Sequence, residues 1–211
     1  MKIGYRFVRP LTVIAGLLCV LVALASYRFV PFGVADTMAF LAYQLPDNRW
    51  FLYAHIAIAP LSLMLLPLQL SSRFRAKYSK VHRWGGRLYV LLILVSGIAA
   101  IQLASSTEAG PLAGVGFGIV GVLWLIVTGL GFRSGLRRDF VAHRRWMLRS
   151  AALTFAAVTL RLYLGLTMAA GLPFGPSYTA IAWLCWVPNL FVIELYLRGS
   201  LRWKSRPLLA Q

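Results

Sequence analysis

Charge is scarce in this chain, and acid is scarcer. Only 13% of its 211 residues are charged, and Asp and Glu number 5 against 22 Lys and Arg. There are 2 cysteines, Cys19 and Cys185, each near the middle of an apolar stretch. That placement excludes an extracytoplasmic disulfide framework and leaves both as small packing residues. No Cys cluster and no H-E-x-x-H spacing offers a zinc site. There is no serine nucleophile elbow, so hydrolytic chemistry has no visible machinery.

What the chain has is apolar surface. At 60% hydrophobic and a mean hydropathy of +0.74, it carries more than one soluble core can hide. A helical crossing of the hydrocarbon takes about 20 residues, and six stretches qualify, at 10–30, 50–70, 86–104, 112–132, 146–169 and 178–197. Unpaired backbone cannot face lipid, so the expected fold is all-α: a polytopic membrane protein with one integral domain over 1–211 and spans two to five as its central four-helix bundle. The net charge of +17 would point to nucleic acid in a soluble protein. Here nineteen of the 22 basic residues cluster at 2–9, 73–87, 133–149 and 198–206, all on one side of the spans. The positive-inside rule makes that side, and both termini, cytoplasmic. Such loops attract the anionic head groups of the lipid bilayer, and no nucleic-acid partner is expected. The basic N-terminus, apolar run and Ala23-Leu24-Ala25 mimic a cleavable signal peptide, but apolar sequence continues to Phe32 and favours a retained first helix.

Residues 31–49 form the longest external connection, bracketed by Pro31, Gly33, Pro46, Asp47 and Asn48, and are expected to lay a short helix across the outer end of the bundle. His82-Arg83-Trp84 with Arg87, and His143-Arg144-Arg145-Trp146 with Arg149, open two apolar runs in the same way. This pairs spans two and three with spans four and five as a parallel repeat. Pro60, Pro67 and Pro188 should bend their helices. Gly116, Gly118 and Gly121 spell G-x-G-x-x-G, but no strand precedes them and the dinucleotide reading fails; Gly114 and Gly118 instead give small residues four apart for close helix packing.

Ionisable groups inside a span cost several kcal/mol unless paired, snorkelling or wet. By depth, His55 and Arg161 share the outer half, and Thr154 lies on nearly the same helical face as Arg161. His55, Thr154, Arg161 and Gln102 therefore form a candidate outer polar pocket, against the plainer reading that Arg161 bonds carbonyls freed near Pro60. At the inner boundary Arg149 and Glu194 have similar depth and opposite charge, a candidate structural ion pair. His82 and His143 stand at corresponding helix starts, where neutral imidazole is favoured. Two such histidines are candidate axial ligands of a b-type haem, with Arg87 and Arg149 to pair its propionates and Asp139 to hold the second nitrogen of His143.

The combination of His55, Pro67-Leu68-Gln69, His82-Arg83, Gly86-Arg87, Tyr89, His143, Trp146-Met147, Arg149 and Val158-Thr159-Leu160-Arg161 resembles a prokaryotic membrane-protein family of uncharacterised activity, domain of unknown function 2306. Leu70 stands where an aromatic is usual. The resemblance implies a multi-pass protein of a bacterial cytoplasmic membrane. A second, weaker resemblance is to cytochrome b561-like bundles, which implies one inner haem at most, because no histidine faces His55. Three functions stay open: electron transfer through a haem on His82 and His143 with a quinone or other redox partner, transport or binding of a lipid or small molecule at His55 and Arg161, and a scaffold or assembly factor.

Overall fold

The computed structural model describes residues 3–204, and side chains from 10 to 199. Among the described residues there is no strand. The helices are α1 (Ile3–Ser26), α2 (Phe29–Thr37), α3 (Leu45–Leu70), α4 (Ser72–Lys77), α5 (Ser79–Ser105), α6 (Pro111–Leu136), α7 (Phe140–Ala169), α8 (Phe174–Leu184) and α9 (Val187–Lys204), with a 3-10 turn at Ala39–Gln44 before α3. Helices α3, α5, α6 and α7 pack in sequence order, and α7 returns to α3 to close a central four-helix bundle; α1 lies outside α3, while α8 and α9 lie outside α6 and α7.

Five helical segments are long and apolar enough to cross a membrane, and only 28% to 39% of each one's most apolar stretch is buried in the protein. The rest is lipid-facing: Leu91, Ile98, Leu112 and Phe191 are all more than half exposed. Water would not tolerate that surface on a monomer. Ends of one sign collect together. The C-terminal ends of α3, α6 and α9 and the starts of α5 and α7 form a basic face, opposite the short turns after α5 and α7.

The first expected span differs from a straight crossing. Helix α1 stops at Ser26 and the chain bends by 82° into α2. The bend brings Arg28 back onto the end of α2, where its Nε and Nη2 donate to the Thr37 carbonyl at 3.3 and 2.9 Å. Val34 and Met38 then bury against Leu52 and Ile56 of α3, which caps the outer end of the bundle. Pro60 and Pro67 leave α3 a continuous helix, and its non-helical residue is Asn48. Pro188 instead follows a break at Cys185–Trp186, in the first turn of α9, where proline's missing donor costs least. Asn189 repairs that break by donating to the Cys185 carbonyl and the Thr159 hydroxyl, both at 2.9 Å. Of the glycines in α6, Gly114 and Gly121 do sit at close approaches, to the Ala104 carbonyl and to Ile101. Gly118 faces open space, so it takes no part in the expected close packing.

Candidate functional site

A cavity of about 550 Å³ lies inside the bundle, in the half away from the basic face. Its walls are mostly aliphatic and aromatic, supplied by α1, α3, α5, α6 and α7 under the outer cap. His55, Thr154 and Arg161 all line it; Gln102 does not. At 1.5 Å per residue, His55 is about 15 Å along α3 from its outer start and Arg161 about 12 Å from the outer end of α7, which puts them at one level. Gln102 is exposed and donates to Asn48 Oδ1 at 3.2 Å. Its side chain belongs to a polar strut with Gln44, Asn48 and Ser106, because it lies on a different face of α5 from Leu103 and Ala104, which line the cavity.

The hydrogen bonds fix several donor and acceptor roles. His55 Nδ1 lies 2.9 Å from the Ser96 carbonyl. A carbonyl only accepts, so Nδ1 carries the proton and the neutral ring keeps Nε2 as an acceptor. Arg161 donates through Nη1 to the Ala157 carbonyl at 3.0 Å and through Nη2 to Ser26 Oγ at 2.9 Å. It therefore bonds its own helix and α1 rather than carbonyls near Pro60. A guanidinium has five donors, and no carboxylate lies within ion-pair distance of Arg161 among the described residues. Arg28 also lines the cavity, and no Asp or Glu does.

The cavity floor rests on a buried hydroxyl chain. Thr154 donates to the Ser150 carbonyl at 2.9 Å, so its oxygen accepts from Trp124 Nε1 at 2.9 Å and from the Tyr89 hydroxyl at 2.7 Å. With that proton committed, Tyr89 accepts from Ser150 Oγ at 3.1 Å, and Ser150 accepts from Thr128 at 2.7 Å. Tyr89, Thr128, Ser150 and Thr154 are each at most 3% exposed. Every proton has one direction, and α5, α6 and α7 are locked in rotation about their axes. Sequence reasoning passed over Trp124, Thr128 and Ser150. The available signal was a Trp and Thr four apart on α6 facing a Ser and Thr four apart on α7.

At the basic face the polar groups are arranged differently. His82 and His143 are each the fourth residue of their helix, α5 and α7. His143 Nδ1 donates to the Gly131 carbonyl at 2.8 Å, with its ring packed against Gly135. Asp139 is not its partner: that carboxylate caps α7 by accepting from the Ala142 amide at 3.0 Å. His82 Nδ1 is buried and has no hydrogen-bond partner. Arg149 grips Glu194 with two bonds of 2.5 and 2.9 Å and stacks on Trp146. Arg87 is exposed and stacks on Trp84. For a haem, imidazole nitrogens are on hand, but the fit is incomplete, since Glu194 already occupies the guanidinium that would take a propionate.

A family model described as "Predicted membrane protein (DUF2306)" matches residues 52–197, from the first turns of α3 into α9. No curated protein and no solved structure matches the chain. The matched stretch contains His55, the hydroxyl chain, both boundary histidines, Arg161 and Glu194, whereas Ser26 and Arg28 precede it. With well over half of its length matched, the chain belongs to the DUF2306 family of predicted membrane proteins.

Proposed function

We propose that this membrane protein is a binding protein or carrier for an amphiphilic small molecule or lipid, held in the outer cavity with its polar end at Arg161 and His55 and its tail toward the floor at Thr154, whose hydroxyl is already committed. The observation that carries this reading is an apolar cavity of about 550 Å³ with an unneutralised guanidinium on its wall. That volume is within the range of small-molecule sites, which are largely apolar with a few converging polar groups. A charge in that position costs several kcal/mol without a partner, and a ligand supplies one. In this reading the basic face is cytoplasmic, in a bacterial cytoplasmic membrane, and the cavity belongs to the outer leaflet.

Photo-crosslinking of the full-length protein tests it, using single-chain amphiphiles with a diazirine in the tail, one with an acidic head and one neutral. Labels on the α3 and α7 segments that line the cavity are expected with at least one probe. Labelling confined to the lipid-facing surfaces of the helices would sink the reading.

Haem-linked electron transfer with a quinone partner is the second reading. The partnerless His82 Nδ1 and the Nε2 left open on His143 favour it. A Soret band from protein expressed with adequate haem, lost in His143→Ala, would support it.

A further inference from the structure

We infer that the ligand is a single-chain lipid with an anionic head, and that it enters sideways from the outer leaflet through a portal between α1 and α7. The inference rests on the cavity-binding reading above and narrows it in two respects, head charge and route.

Head charge follows from what lines the chamber. Arg161 brings a guanidinium into the chamber, Arg28 lines its rim, exposed and bonded to the Thr37 carbonyl, and none of the five carboxylates lines the wall. A neutral or cationic head would leave that charge uncompensated among apolar walls. Ser26 is the one side chain that Arg161 now reaches across the gap, and it is a weak substitute. The Ser26 hydroxyl already donates to the Val22 carbonyl at 2.7 Å, so it offers Arg161 only a neutral lone pair. Arg161 commits only two of its five donors, and an anionic oxygen that accepts from the others adds the opposite charge that Ser26 cannot supply. His55 Nε2 adds an acceptor in the same chamber, which suits an acid head that retains an O–H.

The route follows from exposure. Ala25 of α1, with Gly165 and Met168 of α7, line the cavity and are exposed on the outside of the bundle. A wall residue that is also open to the surroundings marks an opening, and these three lie on facing helices within the last turns at the outer end. A Cβ placed at Gly165 meets nothing within 4 Å. The notch is therefore empty, and the Arg161–Ser26 bond spans α7 and α1 just inside it. An acid head that accepts from the uncommitted donors of Arg161 therefore sits beside that bond, just inside the portal.

The test is competition against the acidic diazirine probe in full-length protein. Laurate and dodecyl phosphate separate a carboxylate from a phosphate monoester as the head, and dodecanol is the neutral control. Acid heads are expected to displace the probe at least tenfold more effectively than dodecanol, and Arg161→Gln to bring the three level. Gly165→Leu, which the empty notch accommodates, is expected to slow labelling at least tenfold with an unchanged melting temperature. Equal displacement by dodecanol and the acids in the unmutated protein overturns the anionic head while leaving the cavity reading in place. An unchanged labelling rate in Gly165→Leu overturns the portal. Absence of cavity labelling by any probe overturns the cavity reading and this inference together.

Discussion

The two halves of the bundle treat positive charge in opposite ways. At the basic face Arg149 has a carboxylate, two short bonds and an aromatic ring. In the outer half Arg161 has one backbone carbonyl, one serine and a cavity. The desolvation cost of a guanidinium is similar in kind at both places; in the proposed reading the inner arrangement is complete in itself and the outer one is completed by a ligand. On that reading the inner site serves stability and the outer one recognition.

The sharpest way to break that assignment is Arg161→Gln. Hydrogen bonds to charged groups contribute about 1.5–3 kcal/mol, so affinity for an acidic amphiphile should fall roughly ten- to a hundredfold, read by probe competition, with the melting temperature of the unliganded protein little changed. Glu194→Gln should show the reverse pattern. Its carboxylate is 31% exposed and its partner 17%, so the 3–5 kcal/mol of a fully buried pair shrinks to about 1–3, seen as earlier unfolding in denaturant, with affinity within twofold. Tyr89→Phe removes the donor to Thr154 and the acceptor for Ser150. Polar links between membrane helices average about 0.6 kcal/mol and reach about 1.7, so a loss of about 1 kcal/mol is expected in the same unfolding assay. Gln102→Ala, at the exposed strut, should change both measures least, by under about 0.5 kcal/mol.

Much of the architecture was readable from hydrophobic run length, because lipid forces helix wherever about 20 apolar residues occur together. Depth was readable too, since a fixed rise per residue places Arg149 near Glu194 and His55 near Arg161 without knowing any contact. Rotation was not. Whether Gln102 points into the chamber or into the Asn48 strut depends on which face of α5 meets α3, and an apolar stripe that is lipid-facing on one side and packed on the other carries no hydrophobic contrast to say so. The same blindness hid the Trp124, Thr128 and Ser150 partners of Tyr89. The bend after Ser26 was masked because apolar residues continue into α2, which is held by Arg28 rather than by composition. Asp139 shows a local competition: an acid just before a helix finds the free amide of Ala142 sooner than a ring one turn away.

Paired binding isotherms bear most directly on the division between the halves, with dodecyl phosphate titrated into full-length Arg161→Gln and Glu194→Gln proteins side by side with the unmutated chain. The structure predicts a loss of at least tenfold in affinity for the first and a change within twofold for the second. Equal losses in both, or a loss confined to Glu194→Gln, would contradict an outer cavity that recognises ligand through Arg161.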